Sequence, residues 1–161
     1  MGYSIGGNLA FEVAKNLEKQ GYEVSNIILL DYLIREYKID CSLDSTKKEA
    51  ERMIENIKQH ASEEDLLMFN YIKENYSIIT RKIFKYKLYS NNIINIGKIK
   101  SNIHLIAWCE NKNNEKLNLW QKSTLGSFKI YNGFGSHNLM MSKEYIKKNA
   151  NIIRDILGKI K

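Results

Sequence analysis

The sequence predicts an α/β fold with a parallel sheet at its centre, and three observations support this prediction. A glycine-rich turn over residues 2–7 leads directly into a helical pattern. An almost unbroken apolar run, residues 24–30, follows that helix and ends at a carboxylate. Two further strand-like runs begin near residues 103 and 127. Apolar strands separated by helices are typical of a parallel sheet that is covered on both faces.

The first turn carries a G-x-S-x-G motif centred on Ser4. A serine hydroxyl becomes a useful nucleophile when a sharp strand-to-helix turn lifts it out of the backbone. We expect Gly2 and Gly6 to stand where a Cβ would collide with neighbouring backbone. The following helix directs free N–H groups at the serine, which makes the N–H of Ile5 a candidate oxyanion donor. A glycine-rich turn with an incidental serine is the alternative, because a motif of this length is weak evidence alone.

The helix after this turn and the next strand form one unit. Apolar residues recur at helical spacing and predict a buried face: Leu9, Phe11, Val13, Ala14 and Leu17. Gly21 is the expected residue after the helix C-terminus. Asp31 ends the following strand, and functional groups of open α/β sheets collect at such strand ends. Asp31 is therefore a candidate to orient a histidine, with a turn or capping aspartate as the alternative.

Residues 33–100 read as a polar and aromatic helical insertion. Ser45 is expected to cap a helix that ends near Ile57, and residues 62–65 to open a second one. The second segment, up to about residue 86, is apolar on too many sides for one buried stripe. It fits either a helix pair buried between neighbours or a mobile lid with aromatic walls. Arg35, at the start of the insertion, is a candidate contact for an acidic substrate group or a solvated surface arginine.

The last third of the chain supplies a candidate general base. A strand over residues 102–109 contains His104, which we expect to be packed and hydrogen-bonded, and Trp120 in the next helical segment is expected to pack. The final strand, residues 127–132, leads through two glycines to His137. These glycines let the loop swing an imidazole toward a serine far earlier in the sequence. Ser142 is expected to cap the closing helix.

Two blocks of the chain resemble a known family: GYSIGGNLAFEVAKNLEKQGYEVSNIILLD and YNGFGSHNLMMSKEYIKKNANIIRDIL. Both resemble the type I thioesterase domains that end non-ribosomal peptide synthetases, in particular the surfactin-synthetase type. The resemblance implies a single thioesterase domain of the α/β-hydrolase fold over residues 1–161, with residues 33–100 as its helical lid. It also implies a triad of Ser4, Asp31 and His137. In many α/β-hydrolases the acid follows a later strand, so Glu110 is the alternative to Asp31.

The resemblance further implies a substrate and a partner. The substrate would be a peptide or lipopeptide on the phosphopantetheine arm of a carrier domain, so the cofactor belongs to the partner. This chain itself is expected to bind no cofactor and no metal. Release by water and release by ring closure both remain open. A stand-alone editing (type II) thioesterase is the alternative enzyme.

The family has several strands before the nucleophile turn, including the strand that carries the serine and a loop that gives a second oxyanion N–H. The resemblance therefore predicts an α/β-hydrolase domain that is truncated at its N-terminus. An inactive remnant that acts at most as a carrier-docking module is the alternative to an active enzyme.

Composition argues against several other classes of protein. The net charge of +7 comes mainly from lysines that are scattered along the chain, which does not favour a nucleic-acid partner. No apolar run reaches the roughly 18 residues that a membrane span needs, and no secretory signal is recognised, so a cytoplasmic location is expected. Cys41 and Cys109 lack metal-type spacing and are expected to be free thiols.

Overall fold

The computed structural model describes residues 1–60, 74–108 and 115–159 of the 161-residue chain. It contains two compact units. The first unit combines Met1–Glu36 with Ile93–Lys161, and the second consists of Tyr37–Asn92. None of the helices within the described ranges combines the length and the apolarity that a membrane crossing requires.

A parallel four-stranded sheet forms the centre of the first unit. Its strands are β1 (Gly2–Tyr3), β2 (Asn26–Leu30), β3 (Asn102–Trp108) and β4 (Phe128–Gly133), and they lie side by side in chain order. Each neighbouring pair is parallel, with Tyr3 opposite Leu30 and Leu30 opposite Ile106. Because all strands point the same way, the residues that follow them gather at one edge.

Helices cover both faces of this sheet, as the apolar strands predict. Helix α1 (Ile5–Lys19) and a 3₁₀ helix (Glu115–Ser123) supply Phe11 and Trp120 to a core that includes Leu29 and Leu105. The closing helix, α4 (Ile146–Lys159), is the fourth α-helix among the described residues and packs on the opposite face. Successive residues of β2 alternate between the two cores, so the strand is buried on both sides.

The second unit is helical in its described part. It contains helix α2 (Leu43–His60) and helix α3 (Tyr76–Ser90). Lys87 of α3 connects the two helices, because its ammonium lies 2.7 Å from the Glu49 carboxylate of α2 and donates to Ser45 Oγ of α2 at 3.0 Å. Cys41 is a free thiol, as predicted. The second predicted helix start, residues 62–65, and Cys109 lie outside the described residues.

Two predicted helix caps are wrong. Helix α2 is capped by Ser42, whose Oγ accepts a hydrogen bond from the N–H of Ser45 at 3.1 Å, because the helix begins three residues earlier than predicted. Ser142 lies four residues before α4, and its buried Oγ has no hydrogen-bond partner among the described atoms. Its backbone carbonyl serves instead, accepting from the N–H of Ile146 at 2.9 Å.

The predicted buried face of α1 is only partly covered. Phe11 and Ala14 are buried against the sheet, but Leu9 and Val13 are 43% and 50% exposed. With Leu17 they line an open groove of about 590 Å³ that runs along α1 beside β1. The helix therefore presents two apolar stripes, of which one contacts the core and the other faces the groove.

Candidate active site

Ser4 occupies the single residue between β1 and α1. Its backbone has φ 54° and ψ −134°, a combination that costs an L-residue energy, and its N–H donates to the carbonyl of Leu30 at 3.1 Å. A Cβ on Gly2 would lie 1.9 Å from the carbonyl oxygen of Gly6, so the prediction for Gly2 is confirmed. The same prediction is wrong for Gly6, where a Cβ would meet no described atom within 4 Å because the position borders the open groove.

His137 reaches the serine from the loop after β4. Its Nε2 lies 3.2 Å from Ser4 Oγ, across 133 residues of sequence. The loop turns at Gly135, whose φ of 79° favours glycine and where a Cβ would lie 2.6 Å from the ring of Tyr145. The structure therefore places His137 beside Ser4, on a loop that turns at one of the two glycines noted in the sequence.

Asp31 follows β2 and lies on the other side of the imidazole. Its Oδ2 is 3.0 Å from His137 Nδ1, and its own carbonyl oxygen is also 3.0 Å from that nitrogen. The second carboxylate oxygen accepts the backbone N–H of Trp108 at 3.1 Å. The carboxylate is 5% exposed and has no donor of its own, so His137 must hold a proton on Nδ1. This tautomer leaves the Nε2 lone pair facing the Ser4 hydroxyl, as proton transfer from the serine requires.

Backbone strain marks the same two residues. Within the described ranges, Ser4 and Asp31 are the non-glycine residues with positive φ, at 54° and 44°. Such conformations persist where the surrounding structure imposes them, and they cluster at functional sites. Each of the two follows a strand by one residue and is bonded through its N–H to the neighbouring strand, Ser4 to Leu30 and Asp31 to Ile106 at 2.8 Å.

Two tyrosines lie beside the imidazole of His137, and neither was singled out in the sequence. The ring of Tyr3 stacks on that of His137, with centroids 5.3 Å apart and planes 23° apart, and its hydroxyl donates to the backbone carbonyl of His137. Burial, and secondarily the charge of Asp31, raises the pKa of the Tyr3 phenol. The ring of Tyr32 lies 6.5 Å from the imidazole.

Asn149 fixes the histidine loop from behind. This residue of α4 is 1% exposed, and its side chain bonds Phe134 N–H and carbonyl, each at 2.9 Å, and the carbonyl of Met140 at 2.8 Å. The sequence showed Asn149 only as one position on a helical stripe. A polar residue in the middle of an otherwise apolar stripe was the signal that was missed.

The remaining candidates have different environments. Arg35 donates through Nη2 to the hydroxyl of Tyr32 at 2.7 Å, while its Nη1 is buried with no hydrogen-bond partner in the described part of the chain. It is therefore not the freely solvated arginine that was the alternative. Ile5 is the first residue of α1, so its N–H has no acceptor within the helix. Glu110 lies outside the described residues.

His104 and Trp120 are structural, as predicted. His104 lies 3.0 Å from both the Tyr131 hydroxyl and Asn26 Oδ1, and Trp120 is buried with its N–H donating to the carbonyl of Tyr32 at 3.0 Å. No group of three or more His, Cys, Asp and Glu that would suit a metal ion occurs in the described ranges.

Comparisons with known proteins identify the family of the chain. The thioesterase domain family matches residues 1–159. Gramicidin S synthase 2 of Brevibacillus brevis is 33% identical over 187 residues, a match that includes 98% of this chain and 4% of that protein. Surfactin synthase subunit 3 of Bacillus subtilis (strain 168) is 31% identical over 158 residues, which are 98% of this chain and 12% of that protein. The chain thus spans a small part of the synthases that it matches.

A solved structure gives the same result. The thioesterase domain SrfTE, which cyclises the lipopeptide antibiotic surfactin, is 29% identical and superposes with a TM-score of 0.68, over 97% of this chain and 65% of that one. Human thioesterase 2, at 18% identity and a TM-score of 0.59, shares the fold. The predicted resemblance and the predicted fold are confirmed. The predicted class of enzyme, a serine hydrolase, is confirmed at the level of the family. The chain belongs to the thioesterase domain family and folds as an α/β-hydrolase.

Proposed function

We propose that this domain releases an acyl or peptidyl chain from a thioester through an ester on Ser4. The observation that carries the proposal is the continuous hydrogen-bonded path from Ser4 Oγ through His137 to Asp31, with contacts of 3.2 and 3.0 Å. A base placed between the nucleophile and an orienting acid is the arrangement that activates a serine for acyl transfer.

The first half of the reaction transfers the acyl group to the serine. His137 Nε2 accepts the Ser4 proton while Oγ attacks the thioester carbonyl, and the C–S bond then breaks as His137 returns the proton to the departing sulfur. Asp31 holds the tautomer and stabilises the imidazolium. The N–H of Ile5 receives the developing oxyanion, supported by its free position at the start of α1.

The second half releases the product. A water molecule, or a hydroxyl or amine of the acyl chain itself, gives its proton to His137 and attacks the ester carbonyl. The C–Oγ bond then breaks, and Ser4 recovers its proton. Water yields a linear acid and an internal nucleophile yields a ring, and likeness to the surfactin-cyclising domain favours ring closure.

The donor in this proposal is a peptide or lipopeptide on the phosphopantetheine arm of a carrier domain. Its support is the likeness over 98% of the chain to gramicidin S and surfactin synthases. Arg35 is the proposed contact for an acidic group of the substrate, because its Nη1 is a buried donor without a partner among the described residues. The segment 33–100 is proposed as the lid.

Labelling with a fluorophosphonate, which reacts with activated serines, tests the site. We expect the wild-type chain to gain one label, Ser4→Ala none, and Asp31→Asn and His137→Ala to react about 10³–10⁴-fold more slowly. His104→Gln is the matched control, because it removes a buried histidine outside the site. Glu110→Gln should also react normally. A folded wild-type chain that takes no label, or a Glu110→Gln variant that loses it, would contradict the assignment.

Product analysis tests the substrate class. Peptidyl and fatty-acyl thioesters of pantetheine are offered to the wild-type chain, and mass spectrometry separates linear acids from rings. We expect turnover of peptidyl thioesters with an internal nucleophile, and no turnover by Ser4→Ala. Exclusive hydrolysis of short acyl thioesters would instead indicate an editing thioesterase.

A further inference from the structure

His137 depends on contacts outside its own loop for its position. The loop that carries it runs from the end of β4 at Gly133 to the start of α4 at Ile146, and the imidazole is 40% exposed. The bond to Ser4 Oγ and the contacts with Asp31 hold the ring only while the loop backbone stays in register. Asn149 bonds the loop at Phe134 and Met140, on either side of His137 but not at it.

Tyr3 supplies the contact at His137 itself. Its hydroxyl donates to the histidine's backbone carbonyl, across 134 residues of sequence, and its ring covers a face of the imidazole. The backbone of Tyr3 is fixed in turn by its pairing with Leu30 in the sheet, and Ser4 follows it directly. One residue thus places the nucleophile through its main chain and the base through its side chain.

We propose that Tyr3 is a positioning residue that sets the distance between Ser4 and His137, an inference that rests on the proposed function. The phenol remains a donor across the neutral pH range because burial and the Asp31 carboxylate both oppose its ionisation and raise its pKa. The ring supplies a flat surface against which the imidazole cannot rotate away from Asp31. Tyr3 acts on the base through the backbone carbonyl and the ring face of His137, so its proposed role is to position that base.

The chain contains a matched control for this contact. Tyr131 also faces a histidine, with its hydroxyl 3.0 Å from His104 Nδ1 and the two ring centroids 5.8 Å apart. Both tyrosines are half-buried and pack against the same apolar cluster. Tyr3→Phe and Tyr131→Phe therefore remove the same atom from similar surroundings, one beside the triad histidine and one away from it.

Two measurements on the full chain compare these variants. The first is the rate of fluorophosphonate labelling, together with kcat and KM for a pantetheine thioester. The second is the proton NMR resonance of His137 Nδ1–H, identified by its loss in His137→Gln, which reports the contact with Asp31 without any turnover. Melting temperatures of both variants show whether a change in stability alone explains the result.

We expect Tyr3→Phe to label roughly tenfold more slowly, with a lower kcat and an unchanged KM, because one hydrogen bond that orients the base is lost. The Nδ1–H resonance of His137 should weaken through exchange with water. Tyr131→Phe should leave both measurements at their wild-type values. If Tyr3→Phe behaves like the wild type, or if Tyr131→Phe produces equal losses, the proposal is overturned.

The proposal and the proposed function fail in different ways. A wild-type chain that takes no label, but whose Nδ1–H resonance depends on Tyr3 and not on Tyr131, supports the positioning role and contradicts the catalytic one. A chain that labels normally while its resonance is indifferent to Tyr3 supports catalysis and overturns the positioning role.

Discussion

The conformation of Ser4 carries a cost that the rest of the molecule offsets. A residue with a Cβ at φ 54° and ψ −134° clashes with its own backbone, whereas glycine adopts this region freely. The cost is accepted at the one position where the fold needs a side chain on the turn. Stability and function are therefore opposed at this residue.

Replacing Ser4 by glycine should stabilise the chain. We expect Ser4→Gly to raise the free energy of unfolding by about 1 kcal/mol relative to Ser4→Ala, because glycine relieves the positive φ and alanine does not. Urea titration of both variants measures the difference, and neither variant should take the fluorophosphonate label. Equal stabilities would show that the turn is not strained.

The three residues of the proposed triad could be named from the sequence because each follows a feature that is visible there. Ser4 lies between glycines, Asp31 ends an apolar run and His137 follows a glycine loop. Tyr3 was not predictable, because its role depends on a contact across 134 residues that no local pattern records. The argument for Gly6 failed because sequence shows which residues are small, and not which atoms surround them.

Helix α4 contributes more than a cover for the sheet. Its apolar residues pack against β2 and β3, while Asn149 on the same helix holds the loop on either side of His137. The sheet core and the loop are thus connected through one helix. Any change that shifts α4 along its axis should also move the histidine.

Removal of the Asn149 amide should destabilise the chain and slow labelling. Asn149→Ala removes the side-chain partner of three backbone groups, the buried carbonyl of Met140 and the partly buried N–H and carbonyl of Phe134, and we expect a loss on the order of 3 kcal/mol in the free energy of unfolding. Asn151→Ala is the control, since Asn151 is exposed on the same helix and should change stability by less than about 0.5 kcal/mol. Similar losses for the two variants would contradict this role.

Three strands share a polar contact through His104. Its ring meets Asn26 of β2 and Tyr131 of β4, and Asn102 Nδ2 donates to the same Asn26 oxygen at 3.1 Å. Burial, and then the charge of Lys129, lowers the pKa of His104. The imidazole of His104 is thus harder to protonate in the folded chain than in the unfolded chain.

The free energy of unfolding should therefore decrease as the pH is lowered, and part of this decrease should depend on His104. Its contribution is fully present above the unfolded pKa of about 6.5, and it is lost as the pH falls from there through the lower folded value. Urea titrations at pH 7.5 and 5.5 should show a smaller decrease in the free energy of unfolding for His104→Gln than for the wild type. An equal decrease would assign the pH dependence to other groups.

Strands β2, β3 and β4 were predicted to within two residues because their apolar runs are continuous. Strand β1 was not predicted, since two residues form no apolar run, and the coverage of α1 was not predicted either. Leu9 and Val13 have the same helical spacing as any core stripe, and periodicity reports only that a face is apolar. What covers that face is decided by tertiary contacts. The predictions of the caps of α2 and α4 failed for a similar reason, since several serines near a helix start are candidates for the one capping position.

At the scale of the whole molecule, the chain leaves the first unit and returns to it at nearly the same place. The N–H of Asn95 donates to the carbonyl of Arg35 at 2.7 Å, and Asn95 Oδ1 accepts the N–H of Arg35 at 3.3 Å. The second unit, Tyr37–Asn92, lies between these points in sequence. A short connection is therefore sufficient to close the first unit.

Replacing residues 37–92 by a flexible linker of about four residues should leave the site intact. We expect the shortened chain to fold and to take the fluorophosphonate label, because the proposed triad and its supporting contacts belong to the first unit. If the insertion is the lid, the shortened chain should discriminate less between pantetheine thioesters of different size. A folded variant that no longer labels would show that the second unit is needed to form the site.

The all-parallel order of the strands also determines when the site comes into existence. Parallel neighbours require long crossovers, and His137 meets Ser4 and Asp31 across 133 and 106 residues. Such distant contacts form late, because the entropy of closing long loops must be overcome first. A chain emerging from the ribosome would hold its serine at the turn long before the histidine was synthesised. We therefore expect Ser4, the proposed nucleophile, to stay unreactive until folding of the first unit is almost complete, so that its labelling would report the last stage of folding.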